Sequence, residues 1–424
     1  MLSLVLPLFL LLLVIGVPIY LTMGTSAAIM FAAEGRLLPF AQKLIDELNS
    51  VTLLAVPYFV IAATFMERGA VARALIDAAT AWVGRLPGGL GLVAVLACTI
   101  FAAMCGSSVA TAIAMGTILV PAMLRNGYER GFSSGVVGAS GTLGIMIPPS
   151  LAFVVYGVLA DTSIPRLFLA GVVPGLLQAS LLAAYILWYS KRMGYRVSEP
   201  MPTSEKLRRT WLALPALSVP VIVLGGLYGG IVTLTETAAL SAIVAILLSL
   251  FVYRGIRMAD LLPVMTVSVR NAAIIMIIIT VALAFGHTVT ETGITARAVE
   301  MVKASGIEGW QFLLAINLLL LVLGMFLEVY SVMLLIVPLV IPMLAPLDIH
   351  PIHFGVVLTL NMELALLTPP VGLNLFVIAN ISRTPLAEVV RGTMPFVGLM
   401  LVLLAFVTYV PVISLWLPEL LMGK

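Results

Sequence analysis

One apolar stretch of this chain cannot remain a continuous helix. Residues 132–160 are long enough to cross a bilayer, which takes roughly 20 apolar residues in a helix. In its middle, Gly138, Gly141 and Gly144 run into Pro148-Pro149-Ser150. Proline removes a backbone donor and biases the residue before it away from the helical region. The segment is therefore predicted to break near mid-membrane and to bare carbonyl and amide groups. In lipid each bared group is unfavourable unless it faces protein, water or an ion.

The break occurs twice. Leu367-Thr368-Pro369-Pro370-Val371-Gly372 interrupts a second apolar segment, 353–380. Pro121, Pro148, Pro149, Gly171 and Pro174 return as Pro342, Pro369, Pro370, Gly392 and Pro395, each 221 residues later. A second echo, three residues out of phase, pairs Glu67, Gly69 and Arg73 with Glu291, Gly293 and Arg297. Interrupted helices at matching positions in two halves point to a secondary transporter with its site at the repeat interface.

Composition sets the class. Of 424 residues, 62% are hydrophobic and 10% charged, against about 25% charged in soluble domains. The fold class is an all-α polytopic membrane protein. The net charge of +3 does not argue for nucleic acid, because the basic residues sit in loops and set topology. Cys98 and Cys105 share one apolar region and suggest neither a disulfide framework nor a metal site. The three histidines form no metal-ligand spacing. Residues 1–16 lack a basic start and a small-residue cleavage site, so they read as a retained span.

The halves are expected at 1–190 and 211–424. Apolar pieces 90–104 and 109–124 are joined by the uncharged Cys105-Gly106-Ser107-Ser108. Pieces 310–326 and 331–345 are joined by Leu327-Glu328-Val329-Tyr330. Junctions this short and apolar read as tips buried in the membrane, making 90–124 and 310–345 re-entrant hairpins. Amphipathic pieces at 70–83 and 294–302 precede them and read as interfacial arm helices. The broken helices span 132–160 and 353–380, and 386–418 reads as one closing span. Five spans per half, an odd number, would invert the second half relative to the first. The linker 191–210, with Lys191, Arg192, Arg196, Lys206, Arg208 and Arg209, is the most basic stretch. By the positive-inside rule it is cytoplasmic, which places both termini on the periplasmic side.

Several groups in these segments could carry chemistry. Ser107 or Ser108 would cap the helix returning from the first tip, aiming its amides at a substrate carboxylate. Ser108 and Thr111 share a face and offer hydroxyls; small residues here would also permit close helix packing. Gly141, Thr142 and Gly144 sit at the first break, where bared carbonyls suit sodium, although a plain proline kink would look the same. Asn361, Glu363, Thr368 and Asn374 surround the second break, with Glu328 and Ser331 at the second tip. Carboxyls inside apolar segments are functional candidates by default, the alternative being a structural bond to a helix end. Glu236 reads as a first-turn acid behind a Thr235 cap, a structural role.

The motifs Gly106-Ser107-Ser108-Val109-Ala110-Thr111, Gly144-Ile145-Met146-Ile147-Pro148-Pro149-Ser150, Leu234-Thr235-Glu236-Thr237-Ala238-Ala239 and Thr368-Pro369-Pro370-Val371-Gly372-Leu373-Asn374-Leu375-Phe376 occur in this order. The chain resembles, over nearly its whole length, the large DctM-type membrane subunit of tripartite ATP-independent periplasmic (TRAP) transporters. The resemblance implies a sodium-driven importer of an organic anion such as a C4-dicarboxylate, sialic acid or sugar acid, working by an elevator movement. It implies two partners: a separate small four-helix membrane subunit and a periplasmic binding protein. Carried over by motif, Na+ would be held by Ser107, Ser108, Gly141, Thr142 and Gly144 in one half. In the other half the ligands would be Ser331, Glu363, Leu367 and Thr368. Substrate would meet Ser108, Thr111, Pro149 and Asn374. The location implied is the bacterial cytoplasmic membrane.

A stand-alone sodium–anion symporter of similar architecture is the main alternative, separated by whether neighbouring genes encode a binding protein and a four-span protein. An intramembrane enzyme would need a nucleophile–base pair or metal ligands at depth, and the sequence offers none. A non-transporting membrane scaffold would leave the duplicated breaks unexplained.

Overall fold

The computed structural model of the chain describes residues 7–9, 11–13, 15–33, 35–195 and 201–423. Met1, Lys424 and Arg196, on which part of the expected topology rests, lie outside these residues. The described chain is helical, without strands. The first half holds α1 (Ile19–Ala33), α2 (Leu37–Leu48), α3 (Ala55–Arg68), α4 (Val71–Val83), α5 (Gly89–Cys105), α6 (Ser108–Arg125), α7 (Arg130–Thr142), α8 (Leu151–Leu159) and α9 (Ile164–Met193). After the linker come α10 (Thr203–Tyr228), α11 (Leu234–Leu247), α12 (Leu261–Glu291), α13 (Ile294–Ser305), α14 (Gly309–Gly324) and α15 (Val329–Leu344). The chain ends in α16 (Pro351–Ala365), α17 (Leu373–Ser382), α18 (Leu386–Tyr409) and α19 (Val412–Met422).

Among the described residues, seven helical stretches are long and apolar enough to cross a membrane: 108–125, 164–193, 203–228, 234–252, 258–288, 329–347 and 386–409. Large apolar side chains cover the outside, Leu262 at 74% and Val221 at 66% exposure. Such an exterior suits lipid rather than water. The protein is a multi-pass membrane protein.

Several elements begin at matched offsets in the chain. α6 and α15 begin 221 residues apart, as do α7 and α16, matching the proline echo. Ala70 and Gly293 both take left-handed backbone immediately before α4 and α13. Pro148–Pro149 and Pro369–Pro370 are both cis. Two expectations need correction. The stretch 386–418 is two helices, because the chain leaves helical geometry at Val410 and Pro411 starts α19. A proline one residue past a helix end is a common stop, and the apolar run on both sides hid it. Thr233, not Thr235, caps α11. Its hydroxyl accepts from the Glu236 amide while the Glu236 carboxylate accepts from the Thr233 amide, a reciprocal capping box. Thr235 instead donates to the Val51 carbonyl at 2.8 Å. α2 was not anticipated. It is short and buries no residue.

At the start of α10, Glu205 accepts from Arg208 at 2.7 and 3.0 Å and from Arg209 at 2.9 Å. The side on which the linker lies is testable. Ser204→Cys and Gly423→Cys are expected to label from opposite faces of the membrane, over a low background because Cys98 and Cys105 are buried. Labelling from one face removes the five-plus-five inverted plan.

Candidate functional site

The first tip is built as the sequence implied. Gly106 turns the chain at φ 60° after α5. Ser107 takes extended backbone and caps α6, its hydroxyl accepting from the Ala110 amide at 3.4 Å. Thr111, one turn on, donates back to the Ser107 carbonyl at 2.8 Å. Ser107 and Thr111 lie directly on the first break. A Cβ added to Gly144 would sit 2.5 Å from the Ser107 carbonyl oxygen and 2.8 Å from the Thr111 hydroxyl.

The first break is stapled by Ser150. Its hydroxyl donates to the Ile145 carbonyl and accepts from the Phe153 amide, so one side chain satisfies a stranded acceptor and caps α8. Residues 141–150, Pro149 included, are wholly enclosed. The second break is more open. Pro370 and Val371 are exposed and Thr368 is half-buried. There the Asn374 amide reaches back to the Leu366 carbonyl at 3.1 Å, and the Thr368 hydroxyl donates to the Leu364 carbonyl at 2.7 Å.

A side-chain pair ties the first tip to the second break. Asn374, in the first turn after the second break, donates to the Ser108 hydroxyl of the first tip at 2.7 Å. Both groups are buried. The tips also meet each other: Ser107 and Ser108 share a small cavity with Glu328, Tyr330, Ile145 and Leu366. Beyond it, a cavity of about 420 Å³ opens between the tips and α3 and α12, lined by Ser107, Glu328 and Tyr330 on one side. Of the expected substrate residues, Ser108 reaches the small cavity, whereas Thr111, Pro149 and Asn374 are enclosed in packing around it.

Ser107, Ser108, Gly141 and Gly144 are brought together, Gly141 through its close approach to Ala112 of α6. Thr142 faces away from them. It accepts from Gln178 of α9 at 3.0 Å and donates to the Ala139 carbonyl at 2.8 Å. Both Thr142 and Gln178 face Glu363 of α16. Glu363 is fully buried, yet neither carboxylate oxygen finds a hydrogen bond of proper geometry among the described residues, and Gln178 Oε1 is likewise unpaired. A buried carboxylate left without a well-formed hydrogen bond needs a cation or a proton. Gln178 escaped the sequence reading because a lone glutamine in a long apolar helix carries no spacing signal. Leu367 is enclosed one turn beyond Glu363. Ser331 is buried in the first turn of α15.

A separate polar chain runs through the second half. Asn361 donates to Asn317, Asn317 donates to the Thr408 hydroxyl, and His353 bonds the Thr408 carbonyl and Ser414. It ties α14, α16, α18 and α19 together and occupies the Asn361 amide N–H, while Asn361 Oδ1 has no partner among the described residues.

Residues 6–413 match the family described as the tripartite ATP-independent periplasmic transporter, DctM component. The chain belongs to the DctM family. It is 41% identical over 400 residues to the C4-dicarboxylate TRAP transporter large permease protein DctM of Pseudomonas aeruginosa, covering 94% of each chain. It is 37% identical over 413 residues to the isethionate TRAP transporter permease protein DctMQ of Oleidesulfovibrio alaskensis, covering 96% of this chain and 65% of that one. Among solved structures, the YdaH transporter of Alcanivorax borkumensis superposes with a TM-score of 0.64 at 13% identity, over 89% of this chain and 87% of that one. That likeness shows the fold. This DctM-family chain is thus one component of a tripartite secondary transporter for small organic acids, and it is not an enzyme.

Proposed function

We propose that the chain is the transporting subunit of a sodium-coupled importer of a small organic anion, fed by a periplasmic binding protein and assembled with a small membrane subunit. A C4-dicarboxylate is the first substrate to test, since the relative at 41% identity is named for one. The halves are inverted repeats, and the tips and broken helices move as one body past the remaining helices, carrying substrate and sodium in an elevator movement.

The observation that carries this reading is the convergence of both tips with Ile145 of the first break and Leu366 and Leu373 flanking the second on one small cavity, beside the larger one that both tips line. Each half supplies a tip and a break, and Ser108–Asn374 links the halves where they meet. Sodium at the first break would use oxygens of Ser107, Ser108, Gly141 and Gly144; at the second, Ser331, Leu367 and Thr368. The unpaired oxygens of Glu363 and Gln178, with Thr142, support a cation behind the breaks. A cation there neutralises the buried carboxylate and lowers the cost of bringing an anion close. Because binding free energies are linked, substrate then tightens sodium as sodium tightens substrate.

The test is uptake into proteoliposomes holding both membrane subunits, with the cognate binding protein outside. Succinate, gluconate and isethionate are supplied with and without a sodium gradient. Sodium-dependent accumulation of one of them supports the proposal. Full-rate uptake by this subunit alone favours the stand-alone symporter. No accumulation under any ion gradient overturns both.

A further inference from the structure

We propose that Arg68 and Asn271 form a second half of the substrate site and hold the carboxylate of the transported anion from the wall opposite the tips. The inference deepens the proposed function and rests on it. Arg68 ends α3 and Asn271 lies in α12, and both line the 420 Å³ cavity whose other side is Ser107 of the first tip. A guanidinium presents a planar fork of donors that matches a carboxylate, and an amide beside it adds a further donor.

Arg68 is free to do this. None of the ion pairs among the described residues involves it. Glu67 feels its charge, but neighbours in a helix point about 100° apart and do not face each other. The rest of the cavity argues for the same placement. Glu67 and Glu328 also line it, so Arg68 is the one basic group in its lining. An anion is repelled by both carboxylates and drawn to the Arg68 guanidinium and the Asn271 amide. Its other end then meets Ser107, where the amides of α6 begin. The ligand class is a small carboxylate long enough to bridge wall and tip, and the contact belongs to the state in which this cavity is open.

The assay is the uptake system above, with succinate, gluconate and isethionate each run as a concentration series at saturating sodium. For a transported carboxylate, Arg68→Ala is expected to raise KM on the order of ten- to a hundredfold, the usual loss for one charge-assisted contact. The sodium concentration for half-maximal uptake is expected to stay unchanged. Arg68→Lys should lie between wild type and Arg68→Ala, since it keeps the charge but not the fork. Asn271→Asp should raise KM more than Asn271→Ala by setting a like charge beside the substrate. An unchanged KM in Arg68→Ala, or a fall in maximal rate alone, overturns the inference while leaving the proposed function standing. If Arg68→Ala fails to assemble, Arg68→Lys decides: wild-type KM overturns the inference. A wild type that transports none of the three acids removes the proposed function, and this inference with it.

Discussion

Gly392→Leu is expected to unfold the protein or prevent its assembly, while Gly398→Leu, six residues along the same helix, is expected to be tolerated. The difference lies in what each new side chain meets. Helix α18 crosses α7 at Gly131, Gly135 and Gly392, and a Cβ on Gly392 would run into the backbone of Gly131. Backbone cannot rotate away as a side chain can, so the helices must separate along this crossing. Overpacking costs about 1–3 kcal/mol in a core that can adjust, and more where it cannot. Small residues at helix crossings in membranes serve this close approach. A Cβ on Gly398 meets nothing within 4 Å. Thermal unfolding of the purified variants in detergent separates them. Equal stability of the two would show that the crossing has slack.

Gly144→Ala is expected to spare folding and to impair transport, with uptake down on the order of tenfold or more and the sodium requirement raised. The added methyl would lie 2.5 Å from the Ser107 carbonyl oxygen and 2.8 Å from the Thr111 hydroxyl. The tip has to lift off the break it rests on, spreading the oxygens gathered there. Gly138→Ala is the matched control in the same broken segment. Its Cβ would make ordinary contacts, 3.7 Å to Leu367 and 3.8 Å to Ile378. Thr368→Ala probes the other break by removing the hydroxyl that bonds Leu364. Sodium titrations of uptake, with subunit co-purification as the check on assembly, give the readout. Wild-type sodium dependence in both Gly144→Ala and Thr368→Ala would mean that the breaks are only kinks.

The parts of this architecture that obey local rules were legible in the sequence. Pro148-Pro149 and Pro369-Pro370 marked both breaks, because proline's effect on its own turn does not depend on partners. The cap was narrowed to Ser107 or Ser108 by their position after Gly106, and the structure makes it Ser107. What the sequence hid is tertiary. Nothing in the spacing of Gln178 says that it faces Glu363, since they meet across helices far apart in the chain. The Ser108–Asn374 bond joins residues 266 apart. Gly392 stood out as an echo of Gly171, yet only the crossing with Gly131 and Gly135 explains why it must be glycine. Thr233 lost to Thr235 as the expected cap because two threonines flank Leu234, and the choice turns on where the helix starts. Residues 386–418 read as one span because hydropathy does not register the turn at Val410 and Pro411.

The pairing of α3 with α11 and α12 bears on how the protein is made. Ser249 donates to the Phe65 carbonyl across 184 residues of chain, and Gly131 waits still longer for Gly392. At roughly 5–20 residues per second, the ribosome needs on the order of ten seconds or more after making Phe65 before its partner emerges. Through that interval the first half sits in the bilayer with its crossing surface bare. Biogenesis therefore depends on holding a half-built bundle open, and a chain released early would be left with an exposed seam that its own sequence cannot close.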